Sequence, residues 1–363
     1  MKFEELSIIF SVIIPAFNKE AYIGTCLDSL KRQSLAKGNF EVIVIDDCSE
    51  DKTVQRALQY IADLNIRVIQ RQQNGGPGLA RNDGLSHARG KYILFLDGDD
   101  FLLEKTLECL SAIFAAKDYD LITFNWTYFS DLSAGEYTVP RRRDLEKMPL
   151  ARDLLVQHYL GMNMDGSVIY TAAKKSIFDQ YNIQFPRGYH EDMSVIFQMY
   201  YAANSIFKFD KVLYVKNDRE GSIVNTLSEN HVTGYFGAWP LILEFLREYE
   251  VRVDQYLPFY LRGMSGHVYT MVNKIYKKFS NDLDRRSEFY SKIIDVLEND
   301  KNLKKPFADY FPSVTKKDKF SQTFFKHFYD DSLSWSERVK GFESICFANY
   351  PAESSSNVDK IHD

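Results

Sequence analysis

Lys91–Asp100 reads KYILFLDGDD, and this stretch decides the fold. The apolar run from Tyr92 to Leu96 has the length and bulk of a strand covered on both faces, as strands of parallel sheets between helices are. It stops abruptly in carboxylates, so a buried strand delivers acid to the edge of a sheet. Side chains alternate along an extended chain. That predicts Asp97 and Asp99 on one side and Asp100 on the other, with Gly98 leaving space for a ligand to approach the backbone. Two carboxylates on one side suit a hard divalent cation, Mn2+ or Mg2+, completed by substrate phosphates. An isolated acidic turn would read the same way, so the flanking sequence has to decide.

Upstream, Ile8–Ile14 reads as a first strand ended by Pro15, which cannot donate to a ladder. Asn18 is then placed to cap a helix whose Ile23, Leu27 and Leu30 share one face. A second apolar run, Val42–Ile45, closes in Asp46 and Asp47. After it, Ser49 and Asp51 open a helix with an apolar stripe of Val54, Ala57, Leu58 and Ile61. A third strand, Arg67–Gln70, leads into Asn74-Gly75-Gly76-Pro77-Gly78 and a helix carrying Arg81 and Asn82. Strands alternating with helices predict an α/β fold whose ligands sit beyond the carboxyl ends of the strands. Phe17, Asp46, Asp47, Asp97 and Asp99 all fall there.

Downstream the pattern predicts a helix over Leu103–Ala116, buried through Leu107, Leu110 and Phe114, and a strand over Leu121–Trp126. Tyr128–Pro149 shows no period and reads as a loop or hairpin whose Arg141, Arg142 and Arg143 form a solvated edge or pair with phosphate. Ser167–Ala172 reads as a strand and Lys174–Tyr181 as a helix. Met193–Ala203 reads as a helix with Val195, Ile196, Met199 and Tyr200 inward, Ile206–Val215 as a strand, and Asp218–Ser222 as a polar loop. From about Asn230 the β signal ends. The expected division is a domain over 1–228, with halves of about 1–100 and 101–228, and a helical region over 229–363.

The 363 residues carry 45 basic against 50 acidic side chains, a net charge of −5, which gives no general reason to bind nucleic acid. Cys26, Cys48, Cys109 and Cys346 are too scattered for a zinc or redox motif and suit a reducing compartment. The start, MKFEELSIIFSVIIPAFN, lacks a basic leader and a cleavage site, and no apolar run approaches the roughly 18 residues of a membrane span. The expected location is cytoplasmic. Lys316–Asp331 mixes Lys with Phe320, Phe324, Phe325, Phe328 and Tyr329. This stripe is read either as a domain-packing face or as a peripheral contact with the inner face of the cell membrane. A homo-oligomer contact through the C-terminal helices stands beside it as a further expectation.

Taken in order, SVIIPAFNKEAYIGTCLDSL, EVIVIDDCSEDKT, NGGPGLARNDGL, GKYILFLDGDD and His190-Glu191-Asp192 resemble the nucleotide-sugar-dependent, inverting bacterial glycosyltransferases of family 2, which have the GT-A fold. The resemblance covers roughly residues 8–225. It implies a mixed, mostly parallel sheet between helices, with a C-terminal helical extension here. It also implies transfer of a sugar, from UDP-sugar by expectation, to a hydroxyl of a glycan or lipid-linked glycan acceptor of capsule or lipopolysaccharide. The donor site it implies holds Pro15, Phe17 stacking on a base, Asp47 accepting from the base's ring N–H, Arg81, Asp97 and Arg219. Asp99 is the implied principal metal ligand, with Asp97 on the ribose or a metal-bound water. Asp192 is the implied catalytic base, oriented by Glu191. A sugar nucleotidyltransferase would carry a glycine-rich, Arg-containing loop after the first strand, where this chain has PAFNKEAY. A non-catalytic carbohydrate- or nucleotide-binding module is the remaining alternative.

Overall fold

A computed structural model describes residues 8–134, 152–161, 166–217, 227–250, 253–299 and 332–347. Arg141–Arg143, Arg219 with its polar loop, and the Lys316–Asp331 stripe lie outside the described residues. The chain divides into two compact units, Met1–Val156 with Met164–Ser222, and Gln157–Asn163 with Ile223–Asp363.

The first unit is built on an eight-stranded sheet. Its strands are β1 (Phe10–Ala16), β2 (Phe40–Asp46), β3 (Ile66–Gln70), β4 (Tyr92–Phe95), β5 (Phe101–Leu102), β6 (Leu121–Tyr128), β7 (Thr171–Lys174) and β8 (Ile206–Lys216). They lie in the order β3-β2-β1-β4-β7-β6-β8-β5. The first four run parallel. β7 is antiparallel to β4 and β6, β8 is parallel to β6, and β5 is antiparallel to β8. Every residue of β1, β2 and β4 is buried, which is why these stretches read as unbroken apolar runs.

Helices α1 (Ile23–Lys31), α2 (Thr53–Leu58), α3 (Pro77–His87), α4 (Thr106–Ala116), α5 (Phe129–Ala134), α7 (Lys175–Gln180) and α8 (Asp192–Ala202) belong to this unit, and α6 (Arg152–Leu160) begins in it. The predicted inward residues of α1, α4 and α8 are all buried. Each buried aliphatic side chain of this size contributes roughly 1.5–3 kcal/mol.

Local chemistry corrects several expectations. Pro15 does not end β1. Pairing with β2 runs on to Ala16 opposite Asp46, while pairing with β4 stops at Ile13 opposite Phe95. The Ile13 carbonyl accepts from Leu96 N–H at 3.0 Å and the Ala16 carbonyl from Asp47 N–H at 2.7 Å. Alternate residues thus face opposite neighbours, and the donor Pro15 lacks is one that would face β4. The proline parts β1 from β4 where the acidic turn begins. Nor does Asn18 cap α1. With φ at 50° it turns the chain, its Oδ1 accepts from Glu50 N–H at 2.9 Å and its own N–H donates to Ser49 at 2.9 Å. It ties the ends of β1 and β2 together, and Tyr22 stands at the helix start without a side-chain cap.

In α2, Ala57 is buried, but Leu58 and Ile61 are 44% and 59% exposed, so half the expected stripe faces water. Helix α5 occupies the start of the excursion expected to be irregular. The Ser167–Ala172 strand is displaced, because residues 168–170 form a 3-10 turn before β7.

The second unit is helical, with α9 (Glu229–Tyr249), α10 (Leu257–Lys278), α11 (Leu283–Asn299) and α12 (Trp335–Phe347). Ser228 caps α9 by accepting from His231 N–H at 3.2 Å. Phe236, Leu246, Tyr260, Val268, Ile275 and Ile293 form much of its interior. Arg286 and Glu343 join α11 to α12 at 2.6 Å. At Gly263 a Cβ would lie 1.8 Å from the Leu160 carbonyl, so α10 can lie against the end of α6 only because that residue has no side chain. No helix among the described residues is long and apolar enough to cross a membrane.

Candidate active site

The centre of the site is Arg81. The middle of α3 faces the sheet, and Arg81 is 4% exposed rather than displayed on an outer face. Its Nη2 donates to Asp97 Oδ1 at 2.8 Å, its Nη1 donates to Glu191 Oε1, and its guanidinium lies over the Phe185 ring, 5.4 Å from the centroid. Burial alone would weaken the protonated form, but Asp97, Glu191 and Asp192 outweigh it and hold the cation above its already high range. One permanent charge thus links the carboxylate at the end of β4 to the acidic pair at the start of α8. Burial pushes the Glu191 carboxyl up, Arg81 pulls it down, and Asp192 adds to the rise.

Asp192 is the first residue of α8, where the helix dipole favours a carboxylate. Its Oδ2 accepts from Ser167 Oγ at 2.9 Å. Two further contacts seat the turn before α8 against α3. The Asn82 amide pairs with the main chain of Phe185 in both directions, accepting from its N–H at 2.8 Å and donating to its carbonyl at 2.9 Å. At Gly78, a Cβ would meet the Pro186 carbonyl at 2.5 Å and Glu191 Cγ at 2.8 Å. Gly78→Ala is therefore expected to destabilise the chain by about 1–3 kcal/mol through overpacking, against about 1 kcal/mol gained in helix propensity. Urea denaturation checks this, and an unchanged midpoint would mean that the turn yields.

The acidic turn divides as its alternation predicts. Asp100 points inward, accepting from Tyr214 hydroxyl at 2.6 Å and from Asn217 N–H at 2.9 Å. Burial, and then Asp97 and Asp99 nearby, push its carboxyl up to about 7. Asp99 lies 2.9 Å from the Lys19 ammonium. Asp97, with its side chain 31% exposed, is the most open of the carboxylates bonded to Arg81.

Asp47 sits in a separate cluster. It is 2% exposed, and its carboxylate accepts from Gly75 N–H at 3.0 Å, Gly76 N–H at 2.7 Å and the Arg71 guanidinium. In this arrangement it orders the Asn74–Gly78 loop. Asp46 accepts from Ser49 N–H at 3.1 Å. Phe17, beyond the end of β1, is 42% exposed.

The structure thus joins Arg81, Asp97 and Glu191 directly, sets Asp192 beside them, and places Asp99 with Lys19. Lys19, Arg71, Asn82, Ser167 and Tyr214 were not singled out by sequence reasoning as parts of the site. Only Asn82, inside the ARN stretch, carried a signal that pointed toward it.

Oxygen donors at Asp97 and Asp99 fit a hard divalent cation that takes its remaining ligands from a diphosphate. Among the described residues no group of three or more ligating side chains could hold such an ion by itself.

A family model described as glycosyl transferase family 2 matches residues 11–180. The chain carries a glycosyl transferase family 2 domain over these residues. Among the proteins similar to this chain is the poly(ribitol-phosphate) beta-N-acetylglucosaminyltransferase TarS of Staphylococcus aureus, 33% identical over 221 residues, 58% of this chain and 36% of that protein. Another is glycosyltransferase GlyG of Streptococcus pneumoniae, 26% identical over 227 residues, 61% of this chain and 74% of that one. A third is a poly(ribitol-phosphate) beta-glucosyltransferase of Bacillus spizizenii, 28% identical over 251 residues, 65% of this chain and 36% of the relative. The chain spans about a third of the length of the first and third of these relatives. The crystal structure of S. aureus TarS 1–349 with UDP-GlcNAc superposes with a TM-score of 0.72 at 22% identity, covering 93% of this chain and 90% of that one. This likeness shows the fold, the expected GT-A sheet with flanking helices and a helical C-terminal part.

Proposed function

We propose that this family 2 chain moves a sugar from a UDP-sugar to a hydroxyl of a poly(ribitol phosphate)-type glycan, with inversion at the anomeric carbon. The observation that carries the reading is the bridge from Asp97 through Arg81 to Glu191 and Asp192. It ties a carboxylate at the end of the donor-side strand to a carboxylate able to receive a proton from an acceptor. The acceptor class rests on the names of the similar proteins, which favour a teichoic acid over the capsule or lipopolysaccharide expected from sequence. A nucleotide-sugar donor suits the cytoplasmic side of a membrane.

In this reading Phe17 stacks on the uracil, Pro15 and the ordered Asn74–Gly78 loop border the nucleotide, and Asp192 is the catalytic base. Ser167 orients it by holding one carboxylate oxygen, which leaves the other for the acceptor hydroxyl. As that proton passes to Asp192, the hydroxyl oxygen forms its bond to the anomeric carbon, and the bond to the diphosphate oxygen breaks with its electron pair going to UDP. Glu191 and Arg81 fix the base against the donor side. Asp99 and Asp97 would hold Mn2+ or Mg2+, whose charge stabilises the departing diphosphate.

The test is a screen of sugar nucleotides for UDP release with a poly(ribitol phosphate) acceptor, with Mn2+ and with excess EDTA. UDP release that needs both acceptor and cation is expected, and Asp99→Ala should abolish the cation's effect. Turnover undiminished in EDTA would remove the cation from the mechanism. No release from any donor would favour a non-catalytic binding module.

A further inference from the structure

Lys19 is placed with unusual care for a surface-loop lysine. Its N–H donates to Thr53 Oγ1 at 2.7 Å, and its carbonyl accepts from Tyr22 and Ile23 N–H groups, both at 2.9 Å. Its stem passes the acidic turn so closely that a Cβ on Gly98 would lie 3.5 Å from Lys19 Cγ. The ammonium ends 2.9 Å from Asp99 Oδ2, with side chains only 14% and 9% exposed. The backbone of Lys19 is thus tied to the first residue of α2 while its charge is delivered to the carboxylate proposed to take the cation.

An ammonium and a divalent cation on one carboxylate repel each other. At contact distances, and with this little exposure, that repulsion exceeds what an exposed pair would feel. A leaving diphosphate beside Asp99 offers the displaced ammonium a second anionic partner within the same crevice.

We propose that Lys19 competes with the divalent cation for Asp99 and exchanges onto the donor's diphosphate as the cation binds, so that cation and nucleotide enter the site together. The exchange rests on the donor-site reading above and adds to it a residue that couples the binding of cation and nucleotide. Lys19 suppresses cation binding when no nucleotide is present and strengthens nucleotide binding when the cation is.

Titration calorimetry of the full chain separates these effects. Mn2+ is titrated into wild type, Lys19→Met and Lys19→Arg without nucleotide, and UDP is then titrated into each at saturating Mn2+. Lys19→Met keeps the unbranched stem, one atom shorter, and removes the charge. It should bind Mn2+ about 10-fold more tightly than wild type, as expected for release of a partly buried charge repulsion, and should bind UDP with Mn2+ about 10-fold more weakly. Lys19→Arg should stay near wild type in both. If Lys19→Met does not fold, Lys19→Gln carries the same expectation. Equal Mn2+ affinity in wild type and the neutral variants overturns the exchange while wild-type UDP binding leaves the donor-site reading standing. A wild-type chain that binds no UDP overturns both.

Discussion

Asp192→Asn is expected to lower kcat by about 10²–10⁴-fold, the usual contribution of a general base, with UDP affinity close to wild type. The substitution keeps the size of the side chain and its bond with Ser167, but an amide cannot receive the acceptor's proton. An effect on kcat without one on donor binding marks an interaction made in the transition state. Steady-state kinetics alongside UDP calorimetry separate the two. A variant retaining more than about a tenth of the wild-type rate, above that range, would move the base to Glu191 or His190. A variant that failed to fold would mean that Asp192 serves α8 as an N-terminal acid.

The second large effect is on stability. Arg81→Met should leave the Glu191 carboxylate buried with its principal cation gone, and removing one partner of a buried ion pair typically costs about 3–5 kcal/mol. The lower end is expected, because Asp97 is partly exposed and can turn to water. The double variant Arg81→Met/Glu191→Gln should recover much of the loss, since an uncharged amide is left in place of a stranded charge. Urea denaturation of the single and double variants measures both. A single variant as stable as wild type would show that Arg81 serves the ligand alone and not the frame.

How far the sequence could be read follows from which interactions are local. Strand β4, the burial of α1, α4 and α8 and the division of Asp97 and Asp99 from Asp100 all follow from periodicity within a few residues. The partners of those carboxylates do not. Lys19 reaches Asp99 across 80 positions, Arg81 reaches Glu191 across 110, and Tyr214 reaches Asp100 across 114. Nothing in a strand's alternation marks which distant cation will meet it. Asp47 shows the same limit. Its place after β2 was legible, but its capture by Gly75, Gly76 and Arg71 depends on a loop conformation the sequence does not display. Pro15 and Asn18 are turn-forming residues whose ordinary meanings were overridden by tertiary context, and the expected stripe fails at Leu58 and Ile61 because α2 ends at Leu58, short of two turns.

The place of Gln157–Asn163 bears on how the chain is made. This segment belongs with residues 223–363, although the chain returns to the first unit at Met164 and stays there to Ser222. A ribosome therefore releases the end of α6 long before Gly263, against which its Leu160 carbonyl lies. Domains tend to fold as units as they emerge, but here a strip of the later unit is made in the middle of the earlier one, and its Leu160 waits through about a hundred further residues of synthesis for Gly263, many seconds at ordinary elongation rates. Nascent chains arrested between Ser222 and Gly263 should be the ones most prone to aggregate and most dependent on chaperones.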